Sequence, residues 1–184
     1  MLAVAIGACT TTTVHTGMQQ ISIAAEAFLV LPAAEDLTES FDATQIIEAR
    51  YAEDSYSFEA HIEARPGRIT IVGIGALGGA LFSIIYDGDE LLATGAKQAR
   101  AVNAEYVLAD VLLAHWDLDW LNRRLRGASV ALSEDGKQRL VARDGELVIS
   151  ITFETPNPWG GSATLTHHER QYALRISTAE FVPQ

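Results

Sequence analysis

Alternation of apolar and polar side chains marks most of the strands in this chain. Tyr56, Phe58, Ala60, Ile62 and Ala64 alternate with Ser57, Glu59, His61 and Glu63. That period of two, with one polar face, predicts a half-buried antiparallel strand. Gln45 to Tyr51 is expected to pair with it across Glu53-Asp54. Pro66-Gly67 reads as a turn into a β-branched strand, Arg68 to Ile74. Leu81 to Tyr86 follows, and Asp87-Gly88 is a hairpin signal into Glu90, Leu91 and Leu92. Ile21 to Leu31 is apolar and Ala-rich, a helix or an early strand, ended by Pro32.

The period changes between Asn103 and Gly127. Val107, Leu108, Val111 and Leu112 fall on one helical face, with Asn103 as N-cap and Glu105 and Asp110 at polar positions. A second short helix is capped by Asp117 and striped by Leu118, Leu121 and Leu125. Arg123, Arg124 and Arg126 suit its last turn, and Gly127 suits the position after it. Strands resume at Ser129 to Leu132, Gln138 to Ala142, Leu147 to Phe153, Ala163 to Thr166 and Tyr172 to Ile176. In the third of these, Leu147, Ile149, Ile151 and Phe153 alternate with Val148, Ser150, Thr152 and Glu154. The loop Thr155 to Gly161 holds two prolines, two glycines and Trp159.

About nine to eleven short strands around one helix pair predict an α+β fold that is mainly β. Its form is a half-open, curved antiparallel barrel plugged by helices. A helix pair closing a half-barrel points to an apolar cavity.

Charge narrows the partners. The 24 acids and 13 bases give a formal net charge of −11, and a phosphate backbone would be repelled, so nucleic acid is excluded. The excess of acid between Glu26 and Glu63, where Arg50 is the only Lys or Arg, reads as a solvated face.

The amino terminus suggests an address. Met1 to Ala8 is apolar and ends in small residues, and Ile6-Gly7-Ala8-Cys9 resembles a bacterial lipobox. In such a segment signal peptidase cuts before the cysteine, whose thiol carries the lipid. Cys9 is the chain's one cysteine, so it is the expected lipid attachment site. The expected division is a truncated lipoprotein signal at 1–8, a tether at 9–19 containing the run Thr10 to Thr13, and one domain at 20–184. Thr10 after the cysteine, rather than aspartate, leans toward the outer membrane.

Chemistry is sparse. Gly73-Ile74-Gly75-Ala76-Leu77-Gly78 spells the dinucleotide fingerprint, but a strand follows where that motif needs a helix. It reads instead as a glycine-rich loop with Leu77 at its tip. That leucine either contacts a membrane or partner, or folds back as a lid on the core. His15, His61, His115, His167 and His168 have no partner at metal-ligand spacing, and neither a metal nor a cofactor is expected. His115 with Asp117 and Asp119 reads as a polar interhelix turn rather than an acid–base pair, since no nucleophile is near in sequence. No catalytic residue is assigned.

The order of these features carries a family resemblance. A lipobox cysteine, short strands, the Leu77 loop, an Asp-Gly hairpin, the helix pair with Leu118, Leu121, Leu125 and Gly127, and then paired strands through Val182 resemble the LolA/LolB superfamily of lipoprotein carriers and receptors. Glu105-Tyr106-Val107-Leu108-Ala109-Asp110 through Trp116 further resembles a family of proteobacterial lipoproteins encoded beside aryl-polyene pigment genes. The resemblance implies a LolB-like fold with an acyl-chain cavity. Candidate lining residues are Tyr56, Phe58, Ile62, Ile71, Phe82, Ile84 and Tyr86. By position, Leu77 matches the exposed leucine that helps deliver lipoproteins into the membrane. The implied protein is lipid-anchored at the periplasmic face of the outer membrane and not an enzyme. Its implied partners are an acyl lipid or lipoprotein and a periplasmic carrier protein. The alternative is a protein-interaction module of an envelope or aryl-polyene assembly, with the same shell and a filled core.

Overall fold

The computed structural model describes residues 10–14, 20–95 and 103–184. The signal at 1–8, Cys9, and the parts of the tether at 15–19 lie outside the described residues.

Fourteen strands, two α-helices and one 3-10 turn (Ala34–Asp36) are present among the described residues. The strands are β1 (Thr10–Val14), β2 (Gln20–Ala24), β3 (Ala27–Val30), β4 (Phe41–Tyr51), β5 (Asp54–Arg65), β6 (Arg68–Ile74), β7 (Ala80–Tyr86) and β8 (Leu91–Gly95). After α1 (Ala104–His115) and α2 (Leu118–Arg124) come β9 (Leu125–Arg126), β10 (Ser129–Leu132), β11 (Gln138–Arg143), β12 (Glu146–Phe153), β13 (Ser162–His167) and β14 (Tyr172–Pro183).

Eleven strands form one antiparallel sheet in the order β1-β8-β7-β6-β5-β4-β14-β13-β12-β11-β10. Its end strands do not pair with each other, so the sheet curves without closing. The fold is the expected mainly-β α+β shell plugged by helices. The seam is the long return strand β14, which pairs with β4 from Tyr172↔Tyr51 to Pro183↔Phe41. A smaller sheet, β2-β3-β9, packs over the far side of the helices. Apolar residues at both faces of Ile21 to Leu31 build it, and Ile21, Ile23, Leu29 and Leu31 are all buried.

Strands β4, β6, β11 and β13 run toward one end of the shell, which we term the rim. The β4–β5, β6–β7, β11–β12 and β13–β14 turns lie there. The opposite end is the base. Helix α1 runs from rim to base along the concave face. Asn103 caps it, its Oδ1 accepting from the amides of Glu105 (2.9 Å) and Tyr106 (3.2 Å). Asp117 caps α2 by accepting from the Trp120 amide at 2.9 Å.

Three sequence expectations are corrected. First, α2 stops at Arg124, and Leu125–Arg126 turns extended to pair with Phe28 and Leu29 of β3. Gly127 therefore does not follow a helix. Its φ of +69° makes the turn from β9 into β10. Second, Leu147 is exposed and Val148 is buried, because Val148 is an extra, bulged residue of β12 opposite the step from Val141 to Ala142. One extra residue reverses which side chains face inward. Third, Asp110 is buried rather than on a polar face, because α1 is covered on two sides, by the large sheet and by the small one.

The two outermost strands of the large sheet are handled differently. β10 is shielded: Asn122 of α2 donates from Nδ2 to the Val130 carbonyl (2.9 Å), and its Oδ1 accepts from the Val130 amide (3.0 Å). A side chain thus substitutes for a neighbouring strand at an exposed edge. At the other edge, Thr10–Val14, drawn from the stretch expected as a tether, pairs with β8 as β1.

Candidate functional site

Leu77 stands at the tip of the β6–β7 hairpin, on the rim. The Gly75 amide donates to the Gly79 carbonyl at 2.9 Å, and the Gly78 amide to the Gly75 carbonyl at 2.8 Å. Gly78 takes φ +80°, a conformation an L side chain resists. The turn leaves Leu77 102% exposed. The side chain projects into solvent and does not fold back on the core. On the neighbouring β4–β5 hairpin, Tyr51 and Tyr56 are 59% and 49% exposed.

The seven cavity candidates share the concave face. Ile62 pairs with Ile71, and Ile71 with Ile84, which places three isoleucines abreast on β5, β6 and β7. Phe82 lies over Gly73, where an added Cβ would come within 2.3 Å of the ring. Phe58 meets Phe82 edge to face at 5.5 Å. Tyr86 is fully buried and donates its hydroxyl to the Pro32 carbonyl at 2.6 Å. Burial is the main reason its hydroxyl stays protonated far above the usual range. Ile62, Ile71, Phe82, Ile84 and Tyr86 are all buried, Phe58 is partly so, and Tyr56 lies beyond the core at the rim. The face is packed. Two surface pockets, of about 290 and 330 Å³, are lined by none of the seven.

The first pocket opens at the base. Glu39, Ser40, Phe41, His115, Trp116, Asp117, Trp159, Phe181 and Pro183 line it. Its rings are in mutual contact. Phe41 lies 4.7 Å from Trp159, 5.5 Å from Phe181 and 5.8 Å from Trp116. Trp159 is sandwiched, with Phe181 stacked at 4.7 Å and His115 at 3.8 Å. The loop that presents Trp159 is tied to itself. Thr155 donates to the carbonyls of Asn157 (3.1 Å) and Gly160 (3.0 Å), and the Trp159 amide donates to Asn157 Oδ1 at 3.0 Å.

His115 belongs to this wall and to no acid–base pair. Gln45 Nε2 lies 3.1 Å from His115 Nε2 and 3.2 Å from Thr178 Oγ1. An amide nitrogen only donates, so the imidazole Nε2 accepts and Nδ1 carries the proton. Burial, then the charge of Arg139, lower its pKa to about 3, opposed weakly by the Pro158 carbonyl. The ring is neutral at physiological pH. Asp117 is committed to capping α2.

A second buried group lies nearer the rim. Asp110 accepts twice from the Tyr172 hydroxyl, at 2.9 and 2.8 Å. Burial raises its pKa to about 7, against the Tyr172 hydrogen bond and the charge of Arg170. Arg170 itself sits 3.8 Å above the Tyr106 ring. The folded carboxyl thus holds its proton where an unfolded aspartate, near 3.8, has lost it. Stability is full below 3.8 and falls as pH rises toward 7, by at most about 4 kcal/mol for three units. Asp110→Asn is expected to match the parent at pH 4 and exceed it at pH 8 in urea unfolding. An asparagine variant less stable at pH 8 would contradict this assignment.

Comparison with known proteins adds a family. The model described as "Protein of unknown function (DUF3261)" matches residues 42–180. The chain belongs to the DUF3261 family. No curated protein matches it significantly. Among solved structures, an outer membrane lipoprotein-sorting protein domain from Vibrio parahaemolyticus is 12% identical. That match covers 79% of this chain and 86% of that chain, with a TM-score of 0.45.

The DUF3261 match takes in the Leu77 hairpin, both helices and the Trp159 loop. Sequence reasoning missed the base pocket. Its one local signal was a tryptophan in a loop of prolines and glycines, and its other rings come from β4, the helix junction and the end of β14. Arg139 was missed as well. It is buried on β11 and donates to the carbonyls of Leu113 (2.9 Å) and Trp116 (2.7 Å).

Proposed function

We propose that this DUF3261 chain is a non-catalytic envelope lipoprotein, anchored through Cys9 at the periplasmic face of the outer membrane. It accepts an acyl chain from a lipid or lipoprotein. Leu77 is the observation that carries the reading. A large apolar side chain held fully in solvent by a glycine turn costs solubility and contributes nothing to the core. It suits a tip that enters a membrane or meets an acylated partner.

The acyl chain would lie along the isoleucine row of β5–β7, entering from the rim beside Tyr51 and Tyr56. Helix α1 must shift for this. Each methylene taken from water returns about 0.8 kcal/mol, so a long chain replaces the apolar contacts the helix gives up.

Leu77→Glu is expected to lower binding of the Cys9→Ser protein to phospholipid vesicles by about tenfold or more, since a carboxylate cannot enter the bilayer cheaply. The melting temperature should not move, because the side chain touches no core. Unchanged vesicle binding would remove Leu77 from the account.

A second reading is favoured by one observation. Five of the seven candidate lining residues are packed out of reach, which suits a protein-interaction module with a filled core. Titration with a fluorescent fatty acid separates the two. Saturable binding displaced by palmitate supports the acceptor, and no binding at any concentration supports the module.

A further inference from the structure

We infer that the aromatic pocket at the base is a binding site for a small, neutral, planar ligand whose head group both donates and accepts hydrogen bonds, as a carboxamide does. The inference rests on no part of the acyl reading, and the site lies at the opposite end of the shell from Leu77.

Three buried side-chain atoms lack a hydrogen-bond partner among the described residues: Glu39 Oε2, His115 Nδ1 and Trp116 Nε1. Buried polar atoms are nearly always bonded, and each exception asks for a reason. Here all three belong to residues of one pocket wall. His115 and Trp116 are only 7% and 3% exposed, so bulk water does not satisfy them. The Pro158 carbonyl approaches the imidazole without completing a bond to Nδ1.

The chemistry of these atoms defines the ligand. Trp116 Nε1 donates only. His115 Nδ1 also donates, because Gln45 occupies Nε2 as a donor. Glu39 Oε2 accepts. A head group that satisfies them must accept from ring N–H groups and donate to a carboxylate. Charge excludes an anion. Glu39 and Asp117 line the pocket, no lysine or arginine does, and the whole chain carries −11. A simple cation would suit Glu39 but leave the two ring donors unpaired. Phe181, stacked on Trp159 and only partly buried, offers apolar wall to a flat body. A volume of about 290 Å³ lies at the small end of ligand pockets. It suits a one-ring molecule.

The test uses the full chain with Cys9→Ser, labelled with ¹⁵N. The sequence holds three tryptophans, so the spectrum carries three indole N–H signals, assigned by through-bond experiments. Benzamide and benzoate are titrated separately. They share shape, but only benzamide is neutral and a donor. The expected result is a saturable shift of the Trp116 indole signal with benzamide in the millimolar range, and binding of benzoate weaker by about tenfold. Glu39→Gln should narrow that ratio toward unity, with the melting temperature reported alongside. The inference is overturned if benzamide leaves the Trp116 signal in place, if the shift grows linearly without saturation, or if benzoate binds as tightly. An unchanged ratio in Glu39→Gln overturns it also.

Discussion

Arg139→Ala should destabilise the fold by about 3–5 kcal/mol, the largest effect expected of any single substitution considered. The guanidinium sits on β11 beneath the end of α1. There it donates to the carbonyls of Leu113 and Trp116, among the last carbonyls of the helix end, which α1 itself leaves without donors. Its charge also meets the negative end of the helix dipole. Its Cζ lies 5.5 Å above the Phe153 ring. Burial lowers its pKa to about 10, opposed by Asp117, so it remains charged at neutral pH. Removing it leaves two buried acceptors unpaired, at about 1–3 kcal/mol each, together with the void left by its stem. Arg139→Lys should be intermediate, because one ammonium does not reproduce the planar fork. Urea unfolding of the three proteins with a shared m-value checks the order. A loss below about 1 kcal/mol for the alanine variant would contradict the role given to this residue. Losing its charge should also raise the pKa of His115, since Arg139 is one of the groups that lower it.

Gly127→Ala ranks next, at about 2–4 kcal/mol. Two costs coincide there. The residue takes φ +69°, which an alanine adopts at about 1 kcal/mol. Its added Cβ would also lie 2.1 Å from the Glu26 carbonyl oxygen. That atom is backbone, so relief requires the β2–β3 turn to move. Gly145 supplies the contrast. It has φ +83° but nothing within 4 Å of an added Cβ, so Gly145→Ala should cost only the conformational part. Thermal unfolding of both variants separates strain from collision. Equal losses at the two sites would mean the β2–β3 turn yields freely.

The elements that the sequence made legible share one property: each depends on neighbours a few residues apart. The alternation from Tyr56 to Ala64 became β5 with its even positions inward. Asn103 and Asp117 cap the helices, and the glycine-rich decoy became a hairpin between two strands. Features decided at long range were not legible. Leu125 and Arg126 continue a helical stripe in sequence, yet β3 draws them into the small sheet. Leu147 keeps perfect alternation, but a bulge at Val148 in its own strand turns it outward. Asp110 looks solvent-facing until the fold sets Tyr172 of β14 against it. The same divide runs through the candidate site. That Ile62, Ile71 and Ile84 lie abreast is set by the pairing register of three strands, which the alternation of each strand alone leaves open. The base pocket joins residues from β4, the helix junction, the Trp159 loop and β14, and no local pattern connects these.

Acceptance of an acyl chain is the central claim, and native mass spectrometry of the Cys9→Ser protein, exported through a cleavable signal, tests it most directly. A co-purifying species of lipid mass, displaced by added fatty acid, is the expected result. A clean apo mass that stays apo after incubation with envelope lipids and an acylated peptide would contradict it.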